Sequence, residues 1–192
     1  MPANDFLTNS NVRRDLLCED PELAHEHSTF SYRRDKVNYY LDVAETVLKR
    51  GSCLRRNFGA VIVNNDQIIS SGYTGAPRGR KNCLDLKECR REKFNIPRGE
   101  RYEFCRSVHA EANAIIHASR EKMIGSILFL VGIETHNKNY VENTSSCSMC
   151  KRLIINSGII KLFSRINIHD FCSVDVNYWI ENDESLTNEL GY

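Results

Sequence analysis

Two short segments constrain this chain more than any other part of it. They are Cys105-Arg-Ser-Val-His109-Ala-Glu111-Ala-Asn-Ala-Ile-Ile and, downstream, Ser146-Cys147-Ser-Met-Cys150-Lys. Residues two apart in the middle of an α-helix point to roughly opposite sides of the cylinder, so His109 and Glu111 can serve one site only from a first turn. Cys147 and Cys150 are three apart and share a face if a helix begins near Ser148. A fold that uses all four residues must therefore bring two helix amino termini to one point. Unpaired N–H groups and the positive ends of two dipoles favour thiolates and other anions there.

The residue types narrow the chemistry. One histidine and two cysteines are a ligand set suited to zinc, and three protein ligands leave a fourth position open for a water made acidic by the metal. Glu111 is then free to move protons. H-x-E followed by P-C-x-x-C is the signature of zinc deaminases, and the chain meets it except that Ser146 stands where proline is expected. The reaction this implies is attack of water on the carbon bearing the amino group of a nucleobase, with Glu111 carrying protons to the ring nitrogen and the departing ammonia. Singly, Cys147 and Cys150 read as well as a redox pair or a closed structural zinc site, and His109 as a satisfied core histidine. Their joint occurrence with Glu111 favours catalysis.

A chain of 192 residues that is 41% hydrophobic suffices for one well-buried domain with extensions. The start, Met1-Pro-Ala-Asn-Asp-Phe-Leu, lacks the basic and apolar stretches of a secretory signal, and the longest apolar run, at 127–133, is too short to cross a bilayer. We expect a cytoplasmic protein without a membrane partner. In that setting eight cysteines read as ligands or reactive groups before they read as a disulfide framework. Lysine plus arginine (26) balances aspartate plus glutamate (25), so no long nucleic acid is expected as a partner. The pairs Arg33-Arg34, Arg55-Arg56 and Arg90-Arg91 read as solvated faces, any one of which can still hold a single phosphate.

Residues 1–35 are polar and read as an amino-terminal extension with one short helix near 13–18. Apolar residues at helical spacing predict a helix over 36–50, with Gly51 as its stop. Two β-branched runs, 59–64 and 67–73, flank Asn64-Asn65-Asp66 and predict a hairpin. The stretch 74–106 reads as loop. Beyond it the pattern predicts a helix over 109–120, a strand over 126–131, a helix over 148–156 ended by Gly158, and a strand over 159–164. Strands alternating with helices give an α/β sandwich around a mixed sheet. The domain is expected over 36–165, followed by a carboxy-terminal extension, 166–192, with a helix near 175–180.

Over 36–165 the chain resembles the deoxycytidylate (dCMP) deaminase family. The segments that carry the likeness are Cys53-Leu-Arg-Arg-Asn-Phe-Gly-Ala-Val-Ile-Val, Gly72-Tyr-Thr-Gly-Ala-Pro-Arg-Gly79, Val108-His-Ala-Glu-Ala-Asn-Ala-Ile-Ile and Cys147-Ser-Met-Cys-Lys-Arg-Leu-Ile-Ile-Asn-Ser-Gly-Ile. The resemblance implies the cytidine deaminase-like fold, a three-layer α/β/α sandwich with a central mixed β-sheet. It implies zinc held by His109, Cys147 and Cys150, with Glu111 as proton carrier, and dCMP turned to dUMP for thymidylate synthesis. The family usually has Gly-Tyr-Asn-Gly beside the nucleotide, its asparagine touching the sugar, where this chain has Thr74. Arg55, in the family's Cys-x-Arg pattern with Cys53, is the candidate for the substrate phosphate ahead of Arg78, and Thr74 and Ala110 are further substrate contacts.

Members often hold a structural zinc in places comparable to Cys53, Cys83, Cys89 and Cys105. The other reading of these four is reduced, buried thiols. Ser146 is expected to cap the helix that carries Cys150. The family further implies a homo-oligomer, with a hexamer favoured, activated by dCTP and inhibited by dTTP. Gly75, Arg78 and Arg80 are candidate effector contacts, or else part of a substrate-side loop with solvated arginines. The rivals are a deaminase of dCTP or of another nucleoside or base, and a nucleotide-binding regulator that keeps the fold without turnover. Glu111 argues against the regulator.

Overall fold

The computed structural model describes residues 33–183, apart from Arg98 and Asn143, together with Leu186. The helix expected near 13–18 lies outside the described residues. Asp35 accepts a hydrogen bond from the backbone N–H of Asn38 (2.9 Å) and so starts α1 (Lys36–Leu48). Val37, Tyr40, Leu41, Ala44 and Leu48 recur on its buried face. The predicted hairpin forms from β1 (Arg56–Asn64) and β2 (Gln67–Tyr73). Its two turn residues, Asn65 and Asp66, sit at φ of 48° and 62°, which these residue types tolerate and a two-residue hairpin turn requires.

The stretch read as loop contains two single-turn helices, α2 (Cys83–Leu86) and α3 (Arg90–Lys93), and a 3-10 turn at Tyr102–Phe104. Arg91 organises this segment. Its guanidinium is buried, donates to the backbone oxygens of Pro97 and Glu100 (2.5 and 2.6 Å), and lies over the Tyr102 ring. Arg91 is therefore no solvated face, contrary to the sequence expectation. Next come α4 (Ala110–Ile116), α5 (Arg120–Met123), β3 (Ile127–Glu134), α6 (Ser148–Ser157), β4 (Lys161–Arg165), β5 (Phe171–Asp175) and α7 (Val176–Asn182). The helix expected over 109–120 stops at Ile116, whose side chain is 72% exposed, because there the chain leaves the sheet that rewards an apolar stripe.

The strand order is β2-β1-β3-β4-β5, with β3 and β4 parallel and the other neighbours antiparallel. Alternation along the strands decides the layers. Ala60, Ile62, Leu128, Leu130 and Leu162 pack with Ala110 and Ala114 of α4, Ile154 of α6 and Trp179 of α7. Val61, Val63, Phe129, Val131 and Phe163 point the other way and pack with α1. The result is the three-layer α/β/α sandwich with a mixed sheet. Each buried Val, Ile, Leu or Phe among them contributes about 1.5–3 kcal/mol of transfer free energy, against at most about 1 kcal/mol for an exposed ion pair, so the two apolar faces hold the sheet.

β5 was not foreseen. It pairs antiparallel with β4, and α7 then returns Trp179, 1% exposed, to the core, so part of what the sequence set aside as an extension is packed into the sandwich. Asp175 caps α7 by accepting from the backbone N–H of Asn177. Among the described residues no helix is long and apolar enough to cross a membrane.

Candidate active site

His109 occupies the N-cap of α4, and Glu111 is the second residue of that helix. Cys147 is the N-cap of α6, and Cys150 is its third residue. The two first turns face each other as the spacing predicted. Gly75 and Val108 exchange backbone hydrogen bonds of 3.2 and 2.8 Å, which fixes the residue before His109. Below the same helix, a Cβ on Gly72 would stand 2.3 Å from Ala110 O and Ala114 N, so only glycine lets β2 lie this close to α4.

His109 Nδ1 lies 3.4 Å from the Sγ atoms of both Cys147 and Cys150. Among the described residues, this is the one group whose three metal-binding atoms all fall within 4.8 Å of one another. Zinc bonds of about 2.0–2.1 Å to nitrogen and about 2.3 Å to sulfur, in a tetrahedron, put those atoms about 3.6 Å apart, so the donor set fits zinc. The protons respond to this crowding. A hydrogen bond from Cys150 pulls the Cys147 thiol down to about 4, with His109 adding to the effect, and the same bond pushes the Cys150 thiol up. Burial works against a charged His109 ring, yet the hydrogen bond with Cys147 and the nearby Glu111 charge raise it above its ordinary value. Glu111 is raised by burial.

Ser146 does something other than the capping expected of it. Its Oγ donates to Glu111 Oε1 at 2.9 Å, and both residues are buried. The N-cap position of α6 belongs to Cys147.

In front of the triad lies a pocket bordered by Phe58, Thr74, Tyr102 and Arg106, among others. Thr74 is buried, and its Oγ1 accepts from the backbone N–H of Phe58 (3.1 Å). Ala110 is fully buried at the start of α4. Arg55 reaches the pocket while paired with Glu92 at 3.4 Å, and Arg56 is paired with Glu134 at 2.6 Å. Cys53, Cys83, Cys89 and Cys105 all border the same pocket. Burial raises Cys83 and Cys105, and the neighbouring thiols push both further up.

The candidate effector residues are elsewhere. The amide of Gly75 is spent on Val108, and Arg78 donates to His117 Nε2 (3.0 Å), whose Nδ1 faces Ser71 O (3.1 Å). Arg80 is exposed. Sequence reasoning missed Tyr102, whose ring stands edge-on to that of His109 at 4.9 Å, and Arg106, a pocket arginine without a hydrogen-bond or ion-pair partner among the described residues. The only signal for Arg106 was its place three residues before His109.

Two helix amino termini that meet on a His/Cys/Cys donor set, beside one buried carboxylate that is not part of it, define a zinc-dependent hydrolytic deaminase. The chain belongs to the cytidine and deoxycytidylate deaminase family, whose zinc-binding region matches residues 34–165. It is 35% identical over 121 residues to the deoxycytidylate deaminase of Schizosaccharomyces pombe, an alignment that covers 63% of this chain and 37% of that protein. It is 33% identical over 131 residues to the deoxycytidylate deaminase of Mycobacterium phage D29, covering 66% of this chain and 91% of the phage protein. The chain thus spans little more than a third of the yeast relative and nearly all of the phage one. A solved dCMP deaminase from cyanophage S-TIM5 shares 26% identity, with a TM-score of 0.48, over 67% of this chain and 81% of that one.

Proposed function

We propose that the protein deaminates dCMP to dUMP and ammonia, and so supplies the precursor of dTMP. The observation that carries this reading is the buried Glu111 carboxylate set beside, and outside, the donor set of His109, Cys147 and Cys150. Zinc held by those three residues would, when bound, make a water acidic enough to act as a nucleophile near neutral pH. Glu111 accepts one proton from the attacking water and passes it to the ring nitrogen. It then takes the second proton from the added hydroxyl and passes it to the amino group, which departs as ammonia while the carbonyl forms. Its burial suits this cycle, since it raises the carboxyl and so favours uptake of a proton by a group that must then pass it on. Phe58 and Tyr102 wall the base from bulk water, and Thr74 stands in for the asparagine that meets the sugar in relatives.

The monophosphate reading draws support from how the pocket arginines are already committed. Arg55 and Arg56 face carboxylates, Arg91 is spent on carbonyls, and Arg90 lies over Phe94 and Phe104. Arg106 is left, with Arg55 able to exchange its exposed Glu92 partner for a phosphate. One free guanidinium answers a monophosphate better than a triphosphate. Cys53, Cys83, Cys89 and Cys105 border one pocket and raise one another's thiols, which supports a second, structural zinc that fastens the 74–106 segment to the end of α1, although their sulfurs do not gather as closely as the ligand atoms of His109, Cys147 and Cys150. On family resemblance, the protein works in the cytoplasm as a homo-oligomer, a hexamer favoured, with dCTP and dTTP as effectors near Arg78 and Arg80.

A substrate panel scored by ammonia release tests the reading. dCMP should be turned over far faster than deoxycytidine or dCTP. Arg106→Ala should shrink the preference over deoxycytidine by about 10- to 100-fold, the worth of a charge-assisted hydrogen bond of about 1.5–3 kcal/mol, and Arg55→Ala should shrink it less. Equal rates on dCMP and deoxycytidine would defeat the monophosphate reading.

A further inference from the structure

The proline of the deaminase signature is replaced here by a residue that can donate a hydrogen bond, and the bond goes to the proton carrier. Ser146 Oγ lies 2.9 Å from Glu111 Oε1, across 35 residues of sequence, with Ser146 3% and Glu111 5% exposed. A serine hydroxyl has one proton to give. An ionised carboxylate is acceptor-only, so the direction of the bond is fixed whenever Glu111 is charged. Proline has no hydroxyl and no N–H, so it cannot make this contact.

We propose that Ser146 is a positioning residue for the deamination. Ser146 pins Oε1, which stops the carboxylate from rotating and leaves Oε2 as the oxygen that exchanges protons with water and substrate. Because Ser146 immediately precedes Cys147, the N-cap of α6, the same bond ties the proton carrier on α4 to the turn that bears two of the three metal ligands. The spacing between carrier and reacting atoms is thereby held by the helix pair rather than by one side chain. A competing account, in which Ser146 only caps α6, is not available to it: the N-cap is Cys147, and the hydroxyl points to Glu111.

The inference rests on the deaminase reading, and the experiment keeps the two apart. Wild type, Ser146→Ala and Ser146→Thr are compared as zinc-loaded protein, with zinc per chain measured for each. The readouts are kcat and KM on dCMP, affinity for a tetrahedral analogue of the hydrated base, and affinity for the product dUMP. Ser146→Ala should lower kcat and analogue affinity by about ten- to a hundredfold, the scale of a small misplacement of a reacting group, while KM, dUMP affinity and zinc content stay put. Ser146→Thr, which keeps the hydroxyl, should recover most of the loss. The proposal is overturned if Ser146→Ala keeps wild-type kcat and analogue affinity, if its loss follows a loss of zinc, or if Ser146→Thr is as poor as alanine at equal zinc. A wild-type protein inert on every cytosine nucleotide would bring down the functional reading and this inference together.

Discussion

At the scale of single residues the proposed chemistry turns on Glu111, a carboxylate placed in the first turn of α4 so that it shares a site with its neighbour His109. Glu111→Gln keeps the shape of the side chain and its oxygen for Ser146, but cannot take up a proton. Turnover of dCMP should fall by at least about 10²–10⁴-fold, the usual worth of a positioned acid–base group. Metal analysis should find the same zinc content in variant and wild type. Loss of zinc from the variant would make Glu111 a ligand, and retained turnover would send the proton elsewhere. These residues were legible in the sequence because a two-residue spacing leaves only the first turn of a helix as a solution. Ser146 and Arg106 were not, because their meaning lies in what they meet or fail to meet across the fold: a carboxylate 35 residues away for Ser146, and no partner among the described residues for Arg106.

Elements place these residues, and the closest fit between two elements is that of β2 against α4. Gly72 sits where a methyl group would press on Ala110 O and Ala114 N, both at 2.3 Å, and neither backbone atom can move without moving the helix that carries Glu111. Gly72→Ala should therefore lower stability by about 1–3 kcal/mol, the usual cost of overpacking, and should cut kcat by more than the fraction unfolded explains. Chemical denaturation and steady-state kinetics on the folded protein check this. A variant of wild-type stability and activity would show that the sheet yields there at no cost. The hairpin above this contact was readable, since Asn65 and Asp66 are residues that a left-handed two-residue turn selects. β5 was not, because Phe171 to Val174 are each half-buried and show no alternation, and the strand exists only because β4 offers it an edge.

For the molecule as a whole, the family match ends at residue 165, one strand short of the sheet. β5 pairs with β4 from Arg165↔Phe171 to Lys161↔Asp175, and α7 sets Trp179 among Ile154, Leu162 and their neighbours. Arg165, at the end of β4 and 1% exposed, also reaches Asp42 of α1 at 2.6 Å, so this end of the sheet joins both helical layers. A chain ending at 165 would leave β4 as an unpaired apolar edge and would lose a buried tryptophan worth about 3–5 kcal/mol. Set against a total stability of about 5–15 kcal/mol, that loss together with the exposed edge removes a large share of the margin that keeps the domain folded. Trp179 is the only tryptophan in the sequence, which makes it a reporter for this segment. In the intact protein its fluorescence and the far-ultraviolet circular dichroism should share one denaturant midpoint, as a single cooperative unit requires. The chain truncated after residue 165 should show neither a folded circular dichroism spectrum nor dCMP turnover. A truncated chain that folds and turns over dCMP, or a tryptophan signal that melts well ahead of the helices in the intact protein, would make 166–182 an appendage rather than part of the fold that holds the active site.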